Sequence, residues 1–173
     1  MKTNPQQLAE QGKLAFIDKK LDQAASAFTE AASAYEALDD VLNAAEMKNN
    51  LSVTLLQAGK AQEAYDAVAG TDEVFAQAGD VKRQAMAFGN QAAALEALKK
   101  VDQALEAYER SAVLFAEAGE SEMRSTVLQA AAMLKLKRGK MVDSALSMIG
   151  SVQSTKKPNL LQRFLKFILR FMP

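Results

Sequence analysis

A five-residue phrase returns three times at a constant spacing of 40: Lys20-Leu21-Asp22-Gln23-Ala24, Lys60-Ala61-Gln62-Glu63-Ala64 and Lys100-Val101-Asp102-Gln103-Ala104. Large apolar residues keep the same spacing, at Phe28, Val68 and Tyr108 and again at Tyr35, Phe75 and Phe115. A fourth copy, Val142-Asp143-Ser144-Ala145, arrives one residue late. A fixed period of this length is the mark of stacked supersecondary units, none of which can bury its apolar face alone.

Within the period the apolar steps are helical. Leu105, Tyr108, Ala112 and Phe115 follow one another by three or four residues, which places them on one face of a helix. Proline occurs only at 5, 158 and 173, so nothing in the chemistry of the body interrupts a helix. Breaks are expected inside the units at Gly59-Lys60, Lys99-Lys100 and Gly139-Lys140, and between them at Asp40, Gly79-Asp80 and Gly119-Glu120. Asp40, Asp80 and Ser121 are candidate caps of the helices that follow. Each 40-residue unit then reads as two antiparallel helices. Gly70-Thr71 is out of step, because it falls in the middle of a second helix and must either kink or shorten it.

Leu8, Gly12, Ala24, Phe28 and Ala31 occupy the small and aromatic positions of a known motif. Leu51, Gly59 and Ala64 do so in the second unit, and Phe88, Asn90, Ala92, Leu95, Ala104 and Tyr108 in the third. On these residues, over about residues 5–155, the chain resembles the tetratricopeptide repeat family, in the 40-residue variant similar to spindle-orientation adaptors and kinesin light chains. The fourth unit departs from the pattern, with Met133 at a small-residue position. The resemblance implies an all-α, right-handed solenoid of about four antiparallel helix pairs, with units near 1–40, 41–80, 81–120 and 121–155, followed by a separate helix in 156–173.

The resemblance further implies that the first helix of each unit lines a concave groove for an extended or helical peptide. The candidate groove residues are Lys13 and Phe16 in the first unit, and Asn49, Asn50, Val53 and Gln57 in the second. Gly89, Asn90, Ala93 and Glu96 follow in the third unit, and Leu134 and Arg138 in the fourth. Gly89, Ala93 and Ala97 would leave room for close approach of a ligand. Of the positions that hold a C-terminal carboxylate in chaperone-binding members, only Asn50 matches, so that form of recognition is not implied. Asn50 and Asn90 have two open roles, bonding within the stack or to a peptide backbone.

Composition removes most catalytic chemistry. The chain contains no Cys and no His. It therefore has no thiolate or imidazole metal ligand, no disulfide, no Cys nucleophile and no imidazole base. The Gly-Lys pairs are not phosphate loops, since Gly59 has Thr54 five residues before it and Ala61 after Lys60. We expect no enzyme activity and no cofactor. Absence of a secretory apolar run at the N-terminus makes the cytoplasm the expected compartment.

The formal charge of zero is a sum of opposites. Residues 156–173 carry Lys156, Lys157, Arg163, Lys166 and Arg170 and no acid, while the chain before them has 16 cations against 21 acids. An acidic body argues against nucleic-acid binding. In the tail, Leu161, Phe164, Leu165, Phe167, Ile168 and Phe171 share an apolar arc, and Arg163, Lys166 and Arg170 a narrow basic one. A helix of about 13 residues extends about 20 Å, too short to cross a hydrocarbon core of about 30 Å. Such a helix suits an anionic membrane surface, which puts the protein at the inner membrane face. The alternative is protein packing, with the tail as a cap of the solenoid, in its own groove or in a homo-oligomer.

Overall fold

The computed structural model describes the backbone of residues 4–154 and the side chains of 4–140 and of Val142. Among the described residues every regular element is an α-helix. They are α1 (Pro5–Ile17), α2 (Leu21–Glu36), α3 (Val41–Gln57), α4 (Ala61–Val68), α5 (Thr71–Gln77), α6 (Val81–Ala97), α7 (Val101–Glu117) and α8 (Ser121–Ser154). The fold is the expected helical solenoid. Neighbouring helices pack in sequence order, and the first helices α3 and α6 also touch directly, so first and second helices form two layers. The chain divides into a compact unit up to Leu134 and a second from Lys135 onward. Residues 156–173, where the amphipathic tail is expected, lie outside the described residues.

The turns explain the period. A residue in the left-handed region recurs every 20 positions, at Lys19, Asp39, Gly59, Gly79, Lys99 and Gly119, with φ between 56° and 79°. At each intra-unit turn the next amide folds back on the helix just ended: Lys20 N to Ala15 O at 2.8 Å, Lys60 N to Leu55 O at 2.9 Å and Lys100 N to Leu95 O at 2.9 Å. This closes carbonyls that a helix end leaves open. After the first two inter-unit turns the next helix is capped at its N-terminus by the side chain before it. Asp40 accepts from the Asn43 amide at 3.1 Å and Asp80 from the Arg83 amide at 2.9 Å. At the third inter-unit turn Ser121 is already the first residue of α8, so it is not the cap expected there.

The repeating alanines are contact points. Ala24, Ala64 and Ala104 have no exposed surface, and Phe28, Tyr35, Phe75, Tyr108 and Phe115 are buried beside them. Gly12 shows how close the helices come, because a Cβ there would lie 2.7 Å from the Phe28 ring. Any larger residue would push the ring from its rotamer.

Two places depart from the repeat. Gly70 takes φ 77° and ends the second helix of unit 2, which resumes as α5 at Thr71, so the helix is split rather than kinked. The expected break at Gly139-Lys140 is absent, and α8 runs through it as one helix of 34 residues. The reason is legible in the copy itself. Allowing for its one-residue lag, the position of Tyr35, Phe75 and Phe115 falls on Lys156, so the fourth copy lacks the second large apolar residue that rewards a chain reversal.

The Asp80 cap gives a pH-dependent prediction. The hydrogen bond from the Arg83 amide holds the Asp80 carboxyl below its ordinary value of 3.8, against the opposing effect of burial, with the Arg83 side chain adding to the lowering. Asp80→Ala should cost about 1 kcal/mol in urea unfolding at pH 7. Because the folded value is depressed, this contribution is full above 3.8 and is lost as the pH falls through the folded value. The gap between the two proteins should therefore close in acid.

Candidate functional site

The first helices present the surface on which a ligand was expected. Between α1 and α3 lies an open cleft of about 300 Å³ lined by Lys13, Phe16, Ile17, Phe28, Asn50, Val53 and Thr54. The structure thus brings together four of the residues expected there, Lys13, Phe16, Asn50 and Val53. Ile17 is 71% exposed and Val53 38%, so the cleft has an apolar lip with one cation, Lys13, at its edge. Gln57 is exposed farther along α3. A second cleft, of about 320 Å³, lies among α6, α7 and the first turns of α8 and includes Gly89 and Asn90 with Met86, Met123 and Val127.

Other expected groove residues are turned to internal work. Asn49 is buried, and its amide nitrogen donates to Ala45 O at 3.0 Å and to Thr71 Oγ1 at 2.9 Å. Thr71 Oγ1 in turn donates to Val68 O at 2.8 Å, taking up a carbonyl left open where α4 ends. Asn90 reaches across from the next unit and donates to Asn49 Oδ1 at 3.0 Å. Of the two roles open for Asn90, the stack is therefore the one its side chain takes up. This ladder fills the gap that the helix split creates, and each buried group in it is paired.

Positions 9, 49 and 89 are equivalent, and so are 31, 71 and 111. Ala9 and Ala31 are both buried, Asn49 bonds to Thr71, and a Cβ on Gly89 would lie 3.3 Å from Ser111 Oγ. Gly89 is thus small for helix packing within its own unit, where Ser111 Oγ donates to Ala85 O at 2.8 Å. Gly89 also lines the cleft among α6, α7 and α8, so α7 narrows the space expected there without closing it. Leu134 is buried with Leu95, Tyr108 and Ala131. Ala93 is half-buried and Arg138 exposed. Glu96 is half-buried and accepts from Tyr108 Oη at 3.1 Å. Burial, with the Glu96 charge adding to it, pushes the Tyr108 phenol well above its ordinary value, so it stays a donor. Ile17, which the resemblance also places among the ligand positions of the first unit, lines the cleft, whereas Thr54 was not among the expected residues.

Among the described residues no group of three or more acidic, His or Cys side chains is placed to hold a metal ion. What remains is a helical-repeat surface with clefts between first helices, and the family model of the soluble NSF attachment proteins (SNAP) matches residues 7–166. The chain belongs to the SNAP family. No curated protein matches it. SNAP proteins are a family of noncatalytic helical adaptors that bind other proteins, which agrees with the helical repeat and the shape-based role read from the sequence. Among the described residues no helix is long and apolar enough to cross a membrane.

The buried ladder predicts a specific stability defect in this SNAP-family chain. Asn49→Ala leaves the Asn90 amide without its acceptor and Thr71 without a donor. It should destabilise the fold by about 1–3 kcal/mol in urea unfolding, and by more than the same change at half-buried Asn50.

Proposed function

We propose that the protein is a noncatalytic adaptor that takes an extended or helical segment of a partner along its first-helix layer, beginning at the α1–α3 cleft. The single observation that supports this most is that cleft itself: exposed Ile17 and Val53 flank a floor that reaches the Phe28 ring, a small apolar patch of the kind that receives anchor residues. The family name describes proteins that attach NSF; for this chain we carry over the adaptor role, and the cleft favours a partner with an apolar anchor and an acidic neighbour for Lys13. Residues 156–173 supply the second half of the reading. Their basic and Phe-rich pattern suits a peripheral position on an anionic membrane surface at the cytoplasmic side.

Affinity capture with the full chain should yield partners that are lost with Ile17→Arg/Val53→Arg and retained with Gln23→Arg on the exposed surface of α2. A partner set indifferent to the cleft change overturns the groove reading. The membrane half is measured separately. Sedimentation with anionic vesicles should fall by about tenfold or more for Phe164→Ser/Phe167→Ser, since burial of each aromatic side chain contributes about 1.5–3 kcal/mol, and should not change for Ile17→Arg/Val53→Arg.

A further inference from the structure

The repeat sets a rule for which face of a first helix its own second helix covers. Positions 5, 45 and 85 are equivalent, as are 12, 52 and 92, and all of these residues are buried. Gly12 lies under the Phe28 ring, Ala92 clusters with Tyr108, and the Ala85 carbonyl accepts from Ser111, so this face is covered by α2 in unit 1 and by α7 in unit 3. The fourth unit breaks the rule. On α8 the same positions are Ser125 and Ala132, and both are exposed. Leu128, equivalent to buried Leu8, is 44% exposed. Spaced by three and four, Ser125, Leu128 and Ala132 form one stripe. Leu136, the next residue on it, is 61% exposed.

The segment that would cover the stripe is present in the sequence. Counting the one-residue lag of the fourth copy, Ala145, Met148, Ile149 and Val152 stand where Ala104, Ala107, Tyr108 and Ser111 stand in α7, and all four of those α7 residues are buried. Steps of three, one and three put the later four on one side of a helix, with Asp143, Ser147, Ser151 and Ser154 on the other. This is the pattern of a second helix with a face to bury. Its own chain does not bring it to the stripe. α8 is one helix from Ser121 to Ser154, and at 1.5 Å per residue Ala132 and Ile149 are about 25 Å apart along its axis.

We propose that the stripe is covered by residues 142–154 of a second copy of the chain, in a two-fold pair of antiparallel α8 helices. Within a unit, position 12 meets position 28, as Gly12 meets Phe28. An antiparallel pair that brings Ala132 of one copy to Ile149 of the other also brings Leu136 to Ala145, and it repeats both contacts in the opposite direction. The axis of such a pair passes beside Gly139-Lys140, where a turn is expected from the sequence. Ala132 and Ala145 keep the small side chains of Ala92 and Ala104, which have no exposed surface, so the two helices can meet as closely as α6 and α7 do. The pair thus makes between copies the packing that units 1 and 3 make within one, and it requires no reversal of the chain. It is an exchange of equivalent elements, which completes the fourth unit of both partners at once. This inference uses neither the α1–α3 cleft nor residues 156–173, so it is tested apart from the proposed function.

Because the chain has no Cys, a pair of introduced cysteines reports the contact without background. Full-length Ala132→Cys/Ile149→Cys, mildly oxidised, should run on a non-reducing gel at twice 18.7 kDa and return to the single mass with reductant. Sedimentation equilibrium of the wild type should show the same doubling, with monomer appearing on dilution. Ala132→Glu and Ile149→Lys each alter one of the two faces, and each should be monomeric with its helix content by circular dichroism retained. Mixing these two variants should restore the dimer, since the mixed pair holds one native contact and one Glu–Lys contact. A disulfide that closes within one chain, or cysteines that both stay free, overturns the proposal. So does a wild type that is monomeric at every concentration, a dimer that survives Ala132→Glu and Ile149→Lys alike, or a mixture of the two folded variants that stays monomeric.

Discussion

Everything in the repeat domain depends on the chain reversing direction at a fixed interval. A left-handed residue every 20 positions, followed by an amide that folds back to the helix just finished, sets helix length and loop length together. Three of those six positions are Lys or Asp rather than Gly. The backbone there costs roughly 1–2 kcal/mol per residue, an amount that the packing of each helix pair must exceed. The buried pairs Phe28 and Tyr35, Val68 and Phe75, and Tyr108 and Phe115 oppose that cost. Where the second aromatic is missing, after Gly139, the reversal does not occur and α8 continues.

The period of 40, the helix pairs and the alanine contacts were legible in the sequence because each depends on residues near in the chain and repeated in register. Ala24, Ala64 and Ala104 are fully buried for the reason that their spacing suggested. What the sequence hid was the distinction between a residue that faces a neighbouring helix and one that faces water on the same helix. Asn49 and Val53 lie four apart on α3, yet one is buried in a polar ladder and the other rims a cleft. Asn49 faces Thr71 at the start of α5, and α5 exists as a separate helix because Gly70 splits its segment. A local rule flagged Gly70 as anomalous, but the compensation came from Thr71, Asn49 and Asn90, two of them on other helices.

The electrostatics of the chain follow the same division into layers. Within the solenoid, ion pairs link consecutive units: Lys48 to Glu36, Lys60 to Asp22 and Arg83 to Glu46. In each, the cation belongs to the later unit. These are largely exposed pairs of small individual worth. With 11 of the acids on α2, α4, α5 and α7 and the α1–α3 cleft on the first-helix side, one small domain has two chemically distinct faces.

The Asn49–Asn90 bond has a consequence for how such a chain can evolve. A strict period makes units interchangeable: a copy inserted or removed in steps of 40 keeps every turn and cap in place. The ladder ends that freedom at one joint. Removing residues 41–80 would set Asn90 against Ala9, which has no acceptor side chain, whereas removing residues 1–40 would leave the bond intact. One side-chain hydrogen bond thus turns a set of equivalent modules into an ordered series, in which unit 3 must follow unit 2.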